Sequence, residues 1–250
     1  MFRTIAYAIK VSLYMVYTFF QSIRYERLGK AGKTQEQKEY LSYVARSWAK
    51  YLIHTTGSRV QVEGLEHVPD GPCLIISNHQ SNFDIPLLIS SLEKPIGFIA
   101  KKELENIPLL SVWMRRFECI FIDRSNNRQS VKALADAVKT LQAGSSLVIF
   151  PEGTRSKGSG LGVFKKGSLR LAEKSGVPIV PITINGTYKM LEGNQPVRIQ
   201  AADVKVKISP PIVMDQLSEE QRENLLEDIK VLIESNLLEL RNSEIQKFTF

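Results

Sequence analysis

From about residue 58 onward, short β-branched apolar runs alternate with helical stretches, and this alternation limits the possible folds more than any other feature of the chain. The strand-like runs are 58–63 (SRVQVE), 73–77 (CLIIS), 96–100 (IGFIA), 119–122 (CIFI), 146–150 (SLVIF), 179–184 (IVPITI) and 203–208 (DVKVKI). Helical stretches fall at about 84–92, 107–116, 128–143, 166–175 and 218–240. Runs that are apolar throughout, rather than at every second position, belong to strands covered on both faces. The pattern predicts an α/β fold, a mostly parallel sheet flanked by helices.

Residues 1–57 read differently. They predict two helices, about 2–24 and 35–56, joined by a basic linker, RYERLGKAGKTQ. Tyr7, Tyr14, Tyr17, Phe19 and Phe20 lie on the first, and Tyr40, Tyr43, Trp48 and Tyr51 on the second. The chain is thus divided into an N-terminal helical, membrane-associating segment, 1–57, and an α/β domain, 58–250. Charge supports the division. The net +7 falls wholly within residues 1–60, which hold ten Lys/Arg and three Asp/Glu, while residues 61–250 hold 23 of each sign. A second basic stretch, 94–174, holds fifteen basic and seven acidic side chains.

A basic excess fits nucleic acid, an anionic membrane surface or a phosphorylated substrate. The chain has no zinc spacing, RNP-like aromatic strand or basic-region helix, which argues against nucleic acid. A basic, aromatic helical pair suits an anionic membrane surface, where each Lys or Arg contributes roughly 1 kcal/mol. The alternative is a helical hairpin packed on the domain. The uninterrupted apolar run 11–20 is about half the roughly 20 residues a spanning helix needs. No small-residue cleavage site follows it, so it does not read as a cleaved signal peptide. Cys73 and Cys119 sit inside apolar runs and read as small buried hydrophobes. With three His and no metal-ligand spacing, no metal site is expected.

Three polar clusters each follow a strand-like run, which is where open α/β sheets bind ligands. The first is 78–84, NHQSNFD. Five residues on a continuous helix turn about 140°, so His79 and Asp84 would not share a face. They can pair only if the segment is a turn entering a helix, and Pro86 suits a first helical turn. The plainer alternatives are Asp84 as a helix N-cap and His79 as a polar loop residue. The second cluster holds Asp123 and Arg124, where Arg124 also fits a loop charge or a salt bridge to Asp123. The third is 150–156, FPEGTRS, followed by Lys157, Lys165 and Lys166. It predicts a rigid turn rich in donors, with one carboxylate and with Arg155, whose planar fork matches phosphate oxygens. No G-x-S-x-G nucleophile elbow is present.

In order and rough spacing these clusters resemble the glycerolipid acyltransferase family that includes the 1-acylglycerol-3-phosphate acyltransferases. NHQSNFD is similar to the family's His-x4-Asp block, IFIDR (120–124) to the second, FPEGTRS to the third and VPIVPITI (177–184) to the fourth. AKKELENIP (100–108) and FKKG (164–167) are also family-like, and the resemblance covers about residues 58–210. Glu118 and Ser111 depart from it, each standing where the family often has Gly.

The resemblance implies His79 as general base and Asp84 as its partner. It assigns Arg124, Glu152 and Arg155 to the acceptor's phosphate and glycerol, with Lys101, Gly153 and Thr154 beside them. The residues name no oxyanion donor; backbone N–H groups near Gly153 are one candidate. It further implies no bound cofactor or metal, an acyl-CoA or acyl carrier protein thioester as co-substrate, and lysophosphatidic acid as acceptor. Phosphatidic acid would be made at the cytoplasmic face of the inner membrane. Glycerol-3-phosphate or another lysolipid as acceptor, hydrolysis of the thioester, and lipid binding without catalysis stay open at this point.

Overall fold

A computed structural model describes residues 2–158 and 160–245, so the last five residues of the expected 58–250 domain lie outside the described residues. Each strand-like run forms a strand: β1 (Arg59–Glu63), β2 (Leu74–Ser77), β3 (Ile96–Lys101), β4 (Ile120–Ile122), β5 (Ser146–Ile149), β6 (Ile179–Asn185) and β7 (Asp203–Ile208). They make one sheet in the order β1-β7-β6-β2-β5-β3-β4. Five strands, β6 through β4 in that order, are parallel. β7 runs antiparallel to β6, and the edge strand β1 is parallel to β7. The reversal has a local cause. The β6–β7 connection contains a 3₁₀ turn, Thr187–Met190, in place of a crossover helix, and a parallel neighbour needs a crossover.

Both faces of the sheet are covered, as the continuous apolar strands require. Leu74 and Ile76 of β2 join the core on the side of α5 (Asn127–Gln142), α6 (Gly167–Ser175) and α7 (Glu219–Ile245), with Leu141, Leu171 and Ile233. Ile75, between them, points to the other core with Leu87 and Leu88 of α3 (Asp84–Ser91) and Ile53 of α2 (Thr34–Thr56). The central strands β2 and β6 are buried along their whole length, whereas four of the five residues of edge strand β1 are exposed.

Residues 2–57 share this core. Val44, Ala49, Leu52 and Ile53 of α2 are buried, and Tyr7 of α1 (Phe2–Lys30) meets the Phe83 ring edge-on at 6.0 Å. The connection between the helices is shorter than the expected basic linker. α1 runs on through 24–30, and only 31–33 turns. Tertiary contacts hold that extra length helical: Arg24 lies over the Tyr40 ring at 4.7 Å, and Arg116 of α4 (Leu110–Arg116) lies over Tyr25 at 4.4 Å and pairs with Glu26 at 2.6 Å. One face of α1 remains uncovered, with Phe2, Ile5, Ile9, Leu13, Val16 and Phe20 exposed at three- and four-residue spacing. No helix among the described residues is long and apolar enough to cross a membrane.

The two departures from the family pattern are each accommodated locally. Glu118, just before β4, has φ +55°, the left-handed region where Gly is at home. Ser111 is buried in α4, and its hydroxyl accepts from Arg115 Nη1 at 3.4 Å.

Candidate active site

Because β2, β5, β3 and β4 are parallel, the segments after them emerge at one edge of the sheet. All three polar clusters therefore converge there, and Lys101 joins them from the end of β3.

The segment 78–84 is a turn tightened around one carboxylate. Asp84, the first residue of α3, is fully buried, and its Oδ2 accepts the backbone N–H of Gln80 at 2.6 Å and of Ser81 at 2.9 Å. The same oxygen accepts His79 Nδ1–H at 2.7 Å, and Thr187 Oγ1 donates to Oδ1 at 2.5 Å. Asp84 thus does not cap its own helix. It turns back onto the loop before it, which is how residues five apart come to pair. With Nδ1 carrying its proton toward Asp84, His79 Nε2 is left as an acceptor.

Two further groups fix the imidazole. Its ring stacks on Phe150, with centroids 4.0 Å apart and planes 12° apart. Its backbone N–H donates to Glu152 Oε1 at 2.7 Å, and its carbonyl accepts from Ser156 N–H at 2.8 Å. The third cluster is in this way bonded directly to the first.

Glu152 lies below the site rather than in it. It is 6% exposed, and its second oxygen accepts Gly162 N–H at 2.8 Å. Both carboxylate oxygens face backbone, and the residue is absent from the cavity lining. Burial pushes its pKa up, opposed by the two N–H bonds and the His79 charge and aided by Asp84.

Gly153 has φ +69°, and its carbonyl accepts Arg124 Nη1–H. A Cβ there would lie 3.0 Å from Lys165 Nζ and 3.6 Å from Arg124 Nη1, so the glycine lets these cations approach the loop. The Gly153 N–H donates to Phe150 O at 3.0 Å, so it does not point outward as an oxyanion donor would. Partial burial lowers the Arg124 pKa, against the pull of Glu103.

A cavity of about 850 Å³ opens beside these groups. Its polar lining includes His79, Lys101, Arg124, Gly153, Thr154 and Arg155. Its apolar lining includes Val44, Trp48, Phe98, Leu104 and Trp113. Lys101 Nζ pairs with Glu103 at 2.7 Å at the exposed rim. Among the described residues, no group of three or more His, Cys, Asp or Glu is placed to hold a metal ion. Cys73 is buried, as expected, and burial raises its thiol pKa; Cys119 is only partly buried and lines the cavity, its thiol pKa pushed up by burial to about 12.

Comparison with known proteins gives the family and the fold. The acyltransferase family model matches residues 59–185, a span holding all four blocks. The chain belongs to the glycerolipid acyltransferase family. A chloroplastic 1-acyl-sn-glycerol-3-phosphate acyltransferase of Brassica napus is 35% identical over 201 residues, covering 78% of this chain and 58% of that one. A 1-acyl-sn-glycerol-3-phosphate acyltransferase of Borreliella burgdorferi is 32% identical over 192 residues, covering 76% of each. The crystal structure of the 1-acyl-sn-glycerophosphate (LPA) acyltransferase PlsC from Thermotoga maritima superposes with a TM-score of 0.85 at 30% identity, covering 96% of this chain and 95% of that one. The chain spans less than two thirds of the length of the first curated relatives, 58% and 55% for the two plant enzymes.

Two residues of the candidate site escaped sequence reasoning, both from the segment after β6. Thr187 bonds Asp84, and Glu192 bonds Arg155 Nη1 at 2.7 Å and Asn82 N at 2.9 Å. No motif spacing marks either one, because each reaches the turn from more than 100 residues away.

Proposed function

We propose that this acyltransferase moves a fatty acyl group from an acyl-CoA or acyl carrier protein thioester to the sn-2 hydroxyl of 1-acylglycerol-3-phosphate, giving phosphatidic acid. One observation carries the reading: His79, bonded to the buried Asp84, lines the same 850 Å³ cavity as Lys101, Arg124 and Arg155 and as apolar side chains such as Trp48, Phe98 and Trp113. A lysophosphatidic acid combines the matching groups, a phosphate, an apolar chain and the reacting hydroxyl.

In this mechanism His79 Nε2 takes the hydroxyl proton as the acceptor oxygen attacks the thioester carbonyl carbon. General-base catalysis of this kind contributes roughly 10²–10⁴-fold. Asp84 holds the imidazole tautomer and stabilises the imidazolium that forms. The C–S bond then breaks, and the imidazolium proton passes to the departing sulfur. The products are an ester and a thiol, with no acyl-enzyme.

Arg124 and Arg155, assisted by Lys101, take the phosphate, each charge-assisted bond contributing roughly 1.5–3 kcal/mol. Gly153 and Thr154 line the headgroup site, with Gly153 keeping Arg124 close. Glu152 acts from beneath by holding the His79 loop. The exposed apolar stripe of α1 lies on an anionic membrane at the cytoplasmic face, so that the acceptor's chain enters from the bilayer.

The test is turnover with both thioester donors and a panel of lysophosphatidic acid, glycerol-3-phosphate and neutral lysolipids. Transfer to lysophosphatidic acid should dominate, and His79→Ala should lower it by at least about 10²-fold with the fold intact. A folded His79→Ala protein with wild-type turnover overturns the base assignment, and thiol release that ignores every acceptor overturns the acceptor.

A further inference from the structure

The segment leaving β6 touches both loops that build the site. Thr187 bonds Asp84 Oδ1, and the Tyr188 ring covers Gly158, where a Cβ would lie 2.5 Å from it. Glu192 completes the bridge. Its side chain is only 9% exposed, and its carboxylate gathers donors from two loops: Asn82 N–H at 2.9 Å and the Ser81 hydroxyl from the His79 turn, and Arg155 Nη1–H at 2.7 Å from the third cluster.

We propose that Glu192 is a positioning residue for the acceptor, holding the Arg155 guanidinium and the Ser81–Asn82 turn in one arrangement so that headgroup site and imidazole keep a constant separation. The inference rests on the reading of Arg155 as a phosphate ligand. The chemistry favours it in two ways. Arginine carries five N–H groups in a rigid planar fork, so one anchored at Glu192 sets the plane in which the others meet a phosphate. A side chain already held also loses less rotamer freedom when ligand binds. The opposing effect is Coulombic, because a carboxylate beside Arg155 weakens its pull on an anion. Arg124, Lys101 and Lys165 supply positive charge near the same loop edge, so orientation is the scarcer contribution.

Glu192→Gln keeps an oxygen for Asn82 N–H and loses the charged anchor. It should raise KM for lysophosphatidic acid about tenfold, the worth of one charge-assisted bond, while leaving KM for the thioester within about twofold. In an Arg155→Ala background the same change should add nothing, because its effect passes through the missing guanidinium. Three results overturn the proposal: an acceptor KM that is unchanged or falls, equal shifts in both KM values, or losses that multiply in the double variant. If Glu192→Gln fails to fold, Glu192→Asp, which keeps the charge and shortens the reach, carries the same KM comparison. Wild-type enzyme that ignores lysophosphatidic acid but acylates another phosphorylated acceptor refutes the acceptor assignment alone, and the cycle then runs on that acceptor.

Discussion

The His79 imidazole lies flat on the Phe150 ring, 4.0 Å between centroids and 12° between planes. Asp84 holds the same imidazole by its edge, and Glu152 holds its backbone. A ring restrained on face, edge and main chain has little freedom to turn. Phe150 therefore belongs both to the core and to the site.

Phe150→Leu separates those two roles. Leucine keeps most of the apolar volume, so the cost in stability should stay well below the roughly 3–5 kcal/mol of Phe→Ala. The flat platform is lost, and with it about 0.5–1.5 kcal/mol of stacking, so kcat should fall by up to about tenfold. Turnover measured beside a thermal melt decides it: a full kcat would show that the platform is packing only.

Asp84→Asn should be more severe. A buried carboxylate accepting from His79, Gln80, Ser81 and Thr187 is replaced by an amide with one acceptor oxygen. The imidazole loses the partner that selects its tautomer, and by analogy with hydrolase triads kcat should drop by about 10²–10⁴-fold. Single-turnover rates on refolded, monodisperse protein read the effect, and a loss under about threefold would be too small for a general-base partner.

Glu152 yields a pH signature. Burial raises its pKa, so the folded protein binds this proton more tightly than the unfolded chain does. Its contribution to stability is then complete below the ordinary carboxylate range and declines as pH climbs through the raised value. Glu152→Gln removes that titration and leaves one of two backbone N–H groups poorly matched, at a cost of about 1–3 kcal/mol. The gap between wild type and variant should therefore narrow as pH rises from about 4 upward. Urea midpoints taken across that range test the sign, and a widening gap would refute it.

The α1 stripe predicts surface binding. Leu13→Ser combined with Val16→Ser removes two exposed apolar side chains, each contributing roughly 1.5–3 kcal/mol when fully buried. Co-sedimentation with anionic vesicles should weaken about 10–100-fold or more, since an interface buries each side chain only in part. The melting temperature should hold, because neither residue belongs to either core. Binding that stays at the wild-type level would remove α1 as the docking face.

Much of this protein was legible in its residues. Apolar runs such as LVIF (147–150) and VPITI (180–184) announce strands because period and β-branching are local properties, and each of the seven runs forms a strand within a residue or two of its expected bounds. The placement of NHQSNFD, Asp123–Arg124 and FPEGTRS at one edge follows from the parallel strands that precede them. What the tertiary structure alone decided are the relationships across long separations. The antiparallel pairing of β7 with β6 depends on a connection without a crossover helix. Glu152, read as a ligand for the acceptor, turns inward because two loop N–H groups need an acceptor there. Thr187 and Glu192 enter the site only because the chain doubles back after β6. Local sequence encodes periodicity and turn chemistry over a few residues. Which buried donor meets which carboxylate is settled only when the whole chain has packed.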